Sequence, residues 1–288
     1  MTPSAAPDRV PVGELVRGMR LTMRNWWFIG PLGWLVMPSR LPPRRGLLNR
    51  PIARRVVTAR LRDGSALRCR INELFAVAEV FALRTYDRPG IDWRSLRTIL
   101  DIGANVGAAT LWMAQRAPQA RIVAVEPSPP ALRLLRENVA RNHLEDRVTI
   151  VAGAVGRADG ATHIGVDELS VSGRTSDDGG GAEVRVYALD TLLSDAALAS
   201  VDLIKIDCEG AEYDAFAGAS TALLSGLLGV VGEYHAVSGH TPGELVDLLQ
   251  PAGFEVSIQG NPEIGSFTAW RATTRGPDVP EDAALLGV

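Results

Sequence analysis

Between residues 98 and 235 short apolar runs alternate with helical stretches, and this alternation limits the fold more than any other feature. Thr98–Ile102, Arg121–Glu126, Val148–Ala152, Val201–Asp207 and Leu228–His235 read as strands. Val106–Arg116, Pro129–Arg141, Leu189–Leu198 and Ala211–Leu224 between them read as helices. The runs Ile99–Leu100 and Ile122–Val125 have no polar interruption, as strands covered on both faces require. Such alternation predicts an α/β fold with a doubly wound, mostly parallel sheet. The last two strands, Phe254–Gln259 and Ser266–Ala272, have no helix between them, so an antiparallel edge strand is expected. Local signals agree: Ser128 caps a helix with Pro129 at its first position, and Thr241 with Glu244 forms a capping box ahead of a helix ending at Leu249.

The 288 residues divide unevenly. Residues 1–60 read as an N-terminal extension with a Pro/Arg-rich linker, 61–97 as a lead-in, 98–275 as the main domain and 276–288 as a tail. A β-hairpin over Val56–Arg70, turning at Asp63–Gly64, and a helix over Glu73–Leu83 precede the alternating region. Within the extension, Trp26–Met37 is apolar for about 12 residues, short of the roughly 20 a membrane span needs. Residues 19–37 read as a segment packing through its aromatics, with a membrane-surface contact as the alternative. No cationic stretch leads into an apolar core at the N-terminus, and the two cysteines, Cys69 and Cys208, form no metal or disulfide spacing. A cytoplasmic protein is expected. The net charge of −3 gives no electrostatic reason for a nucleic-acid partner, and the arginines between Arg40 and Arg60 read as a solvated linker.

Three successive strand ends carry ligand-binding chemistry. The first is Asp101-Ile102-Gly103-Ala104-Asn105-Val106-Gly107, whose glycines permit close backbone approach and positive φ. The second is Glu126, 23 residues after Gly103, placed to accept both hydroxyls of a ribose. The third is Gly153-Ala154-Val155-Gly156, small residues leaving a slot for a flat base. Each alone is ordinary turn chemistry; in register they make a nucleoside site. A dinucleotide would need G-x-G-x-x-G facing a pyrophosphate, which this loop lacks, and Asp101 would repel phosphate while attracting an amine. S-adenosylmethionine, with ribose, adenine, amino acid and sulfonium but no phosphate, matches better.

A polar cluster follows. Alternation puts Lys205 and Asp207 on one face of their strand, and Glu233 and His235 share a face of another. If those strands are neighbours, the four groups meet, with Glu209, where an acceptor must approach. Asp207 is the expected partner of Lys205, since an unpaired buried lysine is costly. The bland alternative is an ion-pair network holding strand ends together. His235, with an ordinary pKa near 6.5, is the expected general base, oriented by Asp207 or Glu209. A metal on Asp207, Glu209 and His235 is the rival arrangement. No tight His/Cys spacing asks for it, and no metal is expected.

Residues 98–275 resemble the FkbM family of S-adenosylmethionine-dependent methyltransferases. The likeness rests on DIGANVG (Asp101–Gly107) with VEPSP (Val125–Pro129), and on the more distinctive IKIDCEGAE (Ile204–Glu212) followed by Glu-x-His at Glu233–His235. It implies a Rossmann-like methyltransferase fold and O-methylation of a hydroxyl on a sugar, glycan or natural-product scaffold. The cofactor contacts it implies are Asp101, Gly103, Asn105, Gly107 and Glu126, beside Ala154 from the strand-end reading. A nicotinamide-dependent oxidoreductase and a non-catalytic cofactor-binding module are the rival readings.

Overall fold

The computed structural model describes residues 54–61, 64–88, 90–164, 181–237 and 239–271. The extension up to residue 53, the 19–37 segment and the 276–288 tail lie outside the described residues. Strands β1 (Val56–Arg60) and β2 (Ala66–Arg70) form the lead-in hairpin, followed by helix α1 (Leu74–Phe81). Then come β3 (Thr98–Ile102), α2 (Ala108–Arg116), β4 (Arg121–Glu126), α3 (Pro129–Arg141) and β5 (Val148–Ala152). Strands β6 (Ala154–Val155), β7 (Gly160–Ile164) and β8 (Ala182–Tyr187) precede α4 (Leu189–Asp195) and β9 (Leu203–Ile206). The chain closes with α5 (Glu212–Gly218), α6 (Thr221–Gly226), β10 (Gly229–His235), α7 (Pro242–Leu249), β11 (Phe254–Gly260) and β12 (Ile264–Arg271).

Seven strands form one sheet in the order β11-β12-β10-β9-β3-β4-β5. All pairings from β10 to β5 are parallel. The antiparallel strand belongs to the hairpin at the sheet's edge: β12 pairs antiparallel with both β10 and β11, one place in from the outermost strand. Alternation along each strand feeds two cores. Ile99, Ile122, Ala124 and Leu203 face α1, α2, α3 and the lead-in hairpin. Leu100, Val123, Val125 and Ile204 face the layer holding Leu189, Phe216, Leu224 and Leu245. Each fully buried Leu or Ile contributes roughly 1.5–3 kcal/mol, so both faces are needed to hold the sheet.

The lead-in is part of this core. Leu67, Cys69, Ile71 and Val77 are buried in the same cluster as Leu111 and Leu134. Two asparagines of α3 and the residue after it extend the hairpin's hydrogen bonding. Asn138 accepts from Arg68 N at 2.6 Å and donates to Arg68 O at 2.7 Å, and Asn142 does the same with Ala66 at 3.1 and 2.9 Å. Two features differ from expectation. The helix expected over Ala211–Leu224 is broken at Ala219, because Ser220 adopts an extended backbone, caps α6 by accepting from Leu223 N, and is held by Asp190. A small sheet, β6-β8-β7, also forms beyond β5, outside the strand–helix alternation.

Candidate active site

The strand order reverses between β3 and β9, and there the loops at the carboxyl ends enclose a cavity of about 720 Å³. The loop after β3 forms its floor. Gly103 N and Ala104 N both donate to Val125 O at 3.0 Å, and Gly103 (φ +71°) and Asn105 (φ +49°) are left-handed. Gly103 is required sterically: a Cβ there would stand 1.8 Å from the carbonyl oxygen of Asp207.

Lys205 bolts this loop from below. Its ammonium donates to Gly103 O at 2.9 Å and Ile102 O at 3.2 Å, and lies 3.2 Å from Asp101 Oδ1. Burial alone would lower its pKa, but the charges of Asp101, then Asp207, raise it above the ordinary lysine range. The expected pairing of Lys205 with Asp207 is therefore corrected: its partner is Asp101, directly opposite on β3. Residues opposite each other on adjacent strands are about 4.8 Å apart, whereas i and i+2 on one strand are about 6.6 Å apart. Asp101 itself has no exposed surface, and its second oxygen accepts from Thr110 Oγ1 at 2.5 Å. Asp101, expected as a cofactor contact, lies off the cavity wall, and its carboxylate supports the loop. Gly107 likewise is off the cavity wall and lets α2 start against Leu135, which a Cβ would meet at 2.7 Å.

Gly103, Asn105, Glu126 and Ala154 all line the cavity. Glu126 ends β4 with each oxygen held by a backbone N–H: Oε2 by Asn105 and Oε1 by Ser128, both at 2.8 Å. Burial raises its pKa to about 7 against the lowering effect of those two hydrogen bonds. Gly153 and Gly156 flank Ala154 on the wall, with the Tyr187 ring packed behind Gly153.

The polar cluster assembles as the strand faces predict. Strands β9 and β10 are parallel neighbours with Gly232 opposite Ile206, so Glu233 and Asp207 follow side by side. Asp207, Glu209, Glu233 and His235 line the cavity with Lys205. The histidine's orientation differs from expectation. Its Nδ1 meets Glu212 Oε1 at 3.3 Å, while Glu209 Oε2 lies 3.8 Å from Nε2, so Glu212 orients the ring. Glu212 is wholly buried and also accepts from Cys208 N at 3.0 Å. The left-handed turn at Glu209 (φ +59°) and Gly210 (φ +111°) precedes α5, whose first residue is Glu212. Nor does His235 keep a pKa near 6.5. Burial would lower it, but the Glu212 hydrogen bond and the charges of Glu209, Glu212 and Asp207 raise it to about 9, so the ring carries its proton at neutral pH. Glu233 is the group near neutrality: burial and then Asp207 push it up to about 7.

The lead-in also contributes to the site, which no strand-end pattern marks in the sequence. Tyr86, buried after α1, donates to Asp207 Oδ2 at 3.2 Å, and Asn72, Phe75 and Glu79 line the same cavity. Among the described residues no helix is long and apolar enough to cross a membrane.

Sheet order and cavity together define a Rossmann-like enzyme of the methyltransferase class. The sequence profile described as the methyltransferase FkbM domain matches residues 101–256. The chain belongs to this FkbM methyltransferase family. Similar proteins include 31-O-demethyl-FK506 methyltransferase FkbM of Streptomyces tacrolimicus, 28% identical over 221 residues, covering 65% of this chain and 84% of that protein. AMB antimetabolite synthetase AmbE of Pseudomonas aeruginosa is 30% identical over 231 residues, and the match spans 64% of this chain but only 11% of AmbE. 2-O-methyltransferase NoeI of Sinorhizobium fredii is 32% identical over 144 residues, covering 43% of this chain and 58% of NoeI.

Proposed function

We propose that the chain binds S-adenosylmethionine in the cavity above β3, β4 and β9 and methylates a hydroxyl of a sugar, glycan or natural-product scaffold. The observation that carries this reading is Glu126 in one cavity with the Asp207–Glu233–His235 group. The fit is chemical as well as spatial. A volume of 720 Å³ suits a nucleoside-sized ligand. A wall carrying Glu126, Asp207, Glu209 and Glu233 favours a cationic ligand and disfavours the pyrophosphate of a nicotinamide cofactor. When bound, the cofactor supplies an electrophilic methyl: its carbon–sulfur bond breaks with the pair going to sulfur as a carbon–oxygen bond forms.

The chain's own residues have separable tasks. Gly103 and Asn105 admit the ligand to the backbone, and Glu126 accepts from the ribose hydroxyls with the lone pairs that Asn105 N and Ser128 N leave open. The carboxylates of Asp207, Glu209 and Glu233 receive the acceptor's proton, since His235 already holds one. Alignment of hydroxyl and methyl supplies much of the rate. The descriptions of FkbM, a methyltransferase of 31-O-demethyl-FK506, and of NoeI, a 2-O-methyltransferase, support oxygen as the receiving atom.

Calorimetry with S-adenosylhomocysteine tests the ribose contact. Glu126→Ala should weaken binding by roughly 1.5–3 kcal/mol, the loss of hydrogen bonds to a charged group. The pH dependence has a definite sign. Donation by ribose hydroxyls favours ionised Glu126, so affinity rises as pH climbs to about 7 and levels off above it. Below that point it falls by up to about tenfold per pH unit. Glu126→Gln should remove this slope. Unchanged affinity in the alanine variant, or binding of NADH in place of S-adenosylhomocysteine, would overturn the assignment.

A further inference from the structure

We propose that Asp207, Glu233 and His235 bind one divalent cation of the manganese type, which holds the acceptor hydroxyl beside the cofactor. The proposal rests on the hydroxyl-methylating reading above and adds a component to it. Among the described residues these three form the one group of His, Cys, Asp and Glu side chains whose ligand atoms converge, all within 4.8 Å of one another. An octahedral ion with ligands at about 2.1 Å spans about 4.2 Å between opposite donors. Small side-chain rotations close the group onto such an ion.

A second, independent observation is the support behind the ligands. Histidines that bind metals almost always present one nitrogen while the other is held by a carboxylate or carbonyl. His235 is nine-tenths buried, its Nδ1 is held at 3.3 Å by Glu212, itself wholly buried, and its Nε2 lies 3.8 Å from the cavity-lining Glu209, where a bound cation takes the place of the ring's second proton. Tyr86 holds Asp207 Oδ2 at 3.2 Å, leaving the other oxygen for a ligand. Two carboxylates and one imidazole suit an oxygen-preferring ion such as Mn²⁺ or Mg²⁺. Lys205, the nearby cation, is already engaged beneath the loop with Asp101, Ile102 and Gly103. A cation at this point acidifies the hydroxyl whose oxygen it binds, and Glu209, also on the cavity wall, takes the proton. The sequence expectation of no metal relied on missing close spacing, which a site built from two strand ends does not need.

The test uses the full chain, freed of metal with a chelator, and Mn²⁺ alone as probe. Electron paramagnetic resonance follows the free ion, with and without S-adenosylhomocysteine. One Mn²⁺ should be taken up per chain. Asp207→Asn and Glu233→Gln should each weaken uptake at least tenfold, and Glu212→Gln by about 10–100-fold through the histidine it holds. Calorimetry with S-adenosylhomocysteine on the same samples reports that the cavity is intact. Mn²⁺ remaining free beside a wild-type chain that binds S-adenosylhomocysteine overturns the cation site and leaves the methylation reading standing. Equal Mn²⁺ affinity in wild type, Asp207→Asn and Glu233→Gln also overturns it. A wild-type chain that takes up neither ligand overturns both.

Discussion

Replacing Lys205 with methionine should destabilise the protein by about 3–5 kcal/mol, the cost of leaving a buried charge without its partner. Lys205 is 2% exposed and Asp101 fully buried, so water cannot replace the ammonium at 3.2 Å. Against a typical stability of roughly 5–15 kcal/mol, that loss puts the variant near its unfolding threshold. Urea denaturation measures it as a lowered midpoint with an unchanged slope. Adding Asp101→Asn to Lys205→Met should recover part of the stability, because the stranded charge is gone. Cofactor affinity should not return with it, since Ile102 O and Gly103 O still lack their donor. A single variant as stable as wild type would mean that Asp101 finds another partner or a proton.

Gly103→Ala should lower affinity for S-adenosylhomocysteine by about 100-fold while leaving most of the fold in place. The new methyl group would sit 1.8 Å from Asp207 O and 2.8 Å from Asp207 C, both backbone atoms that cannot rotate away. The left-handed φ of +71° adds about 1–2 kcal/mol for any residue with a Cβ. Relief requires the loop or the end of β9 to move by about an ångström, and a misplacement of that size costs about 10² in a positioned reaction. Because the same movement displaces Asp207, turnover should fall further than binding. Calorimetry beside steady-state kinetics separates the two, and wild-type affinity would show that the loop absorbs the methyl elsewhere.

The sheet was legible because its strands are apolar on both faces: Ile99–Leu100 and Ile122–Val125 announce burial by composition alone. The capping box of Thr241 and Glu244 and the proline at the start of α3 were readable for the same local reason. Failures came where a partner arrives from elsewhere. β6 is two residues long and pairs with β8 across a Gly-rich stretch, so no periodicity marks it. Lys205 lies only two residues before Asp207, yet its ion-pair partner, Asp101, belongs to β3. His235 looks like a neutral-pH base until Glu212 and Glu209 are placed around it. Tyr86 lies in the lead-in, 121 residues before the carboxylate it touches. Strand faces bring Lys205, Asp207, Glu233 and His235 together from pattern alone; the charge state of the group depends on neighbours that pattern does not name.

Asn138 joins two parts of the chain that lie far apart in sequence. Its side-chain amide donates both to Arg68 O, at 2.7 Å and 70 residues back, and to Val106 O at 2.8 Å, in the loop that floors the cavity. A two-stranded hairpin is marginal in isolation, so β1 and β2 depend on the contacts that α3 makes with them. The loop on the cavity floor shares that same amide, so hairpin and loop are tied to α3 by one side chain, and a change at Asn138 reaches both at once.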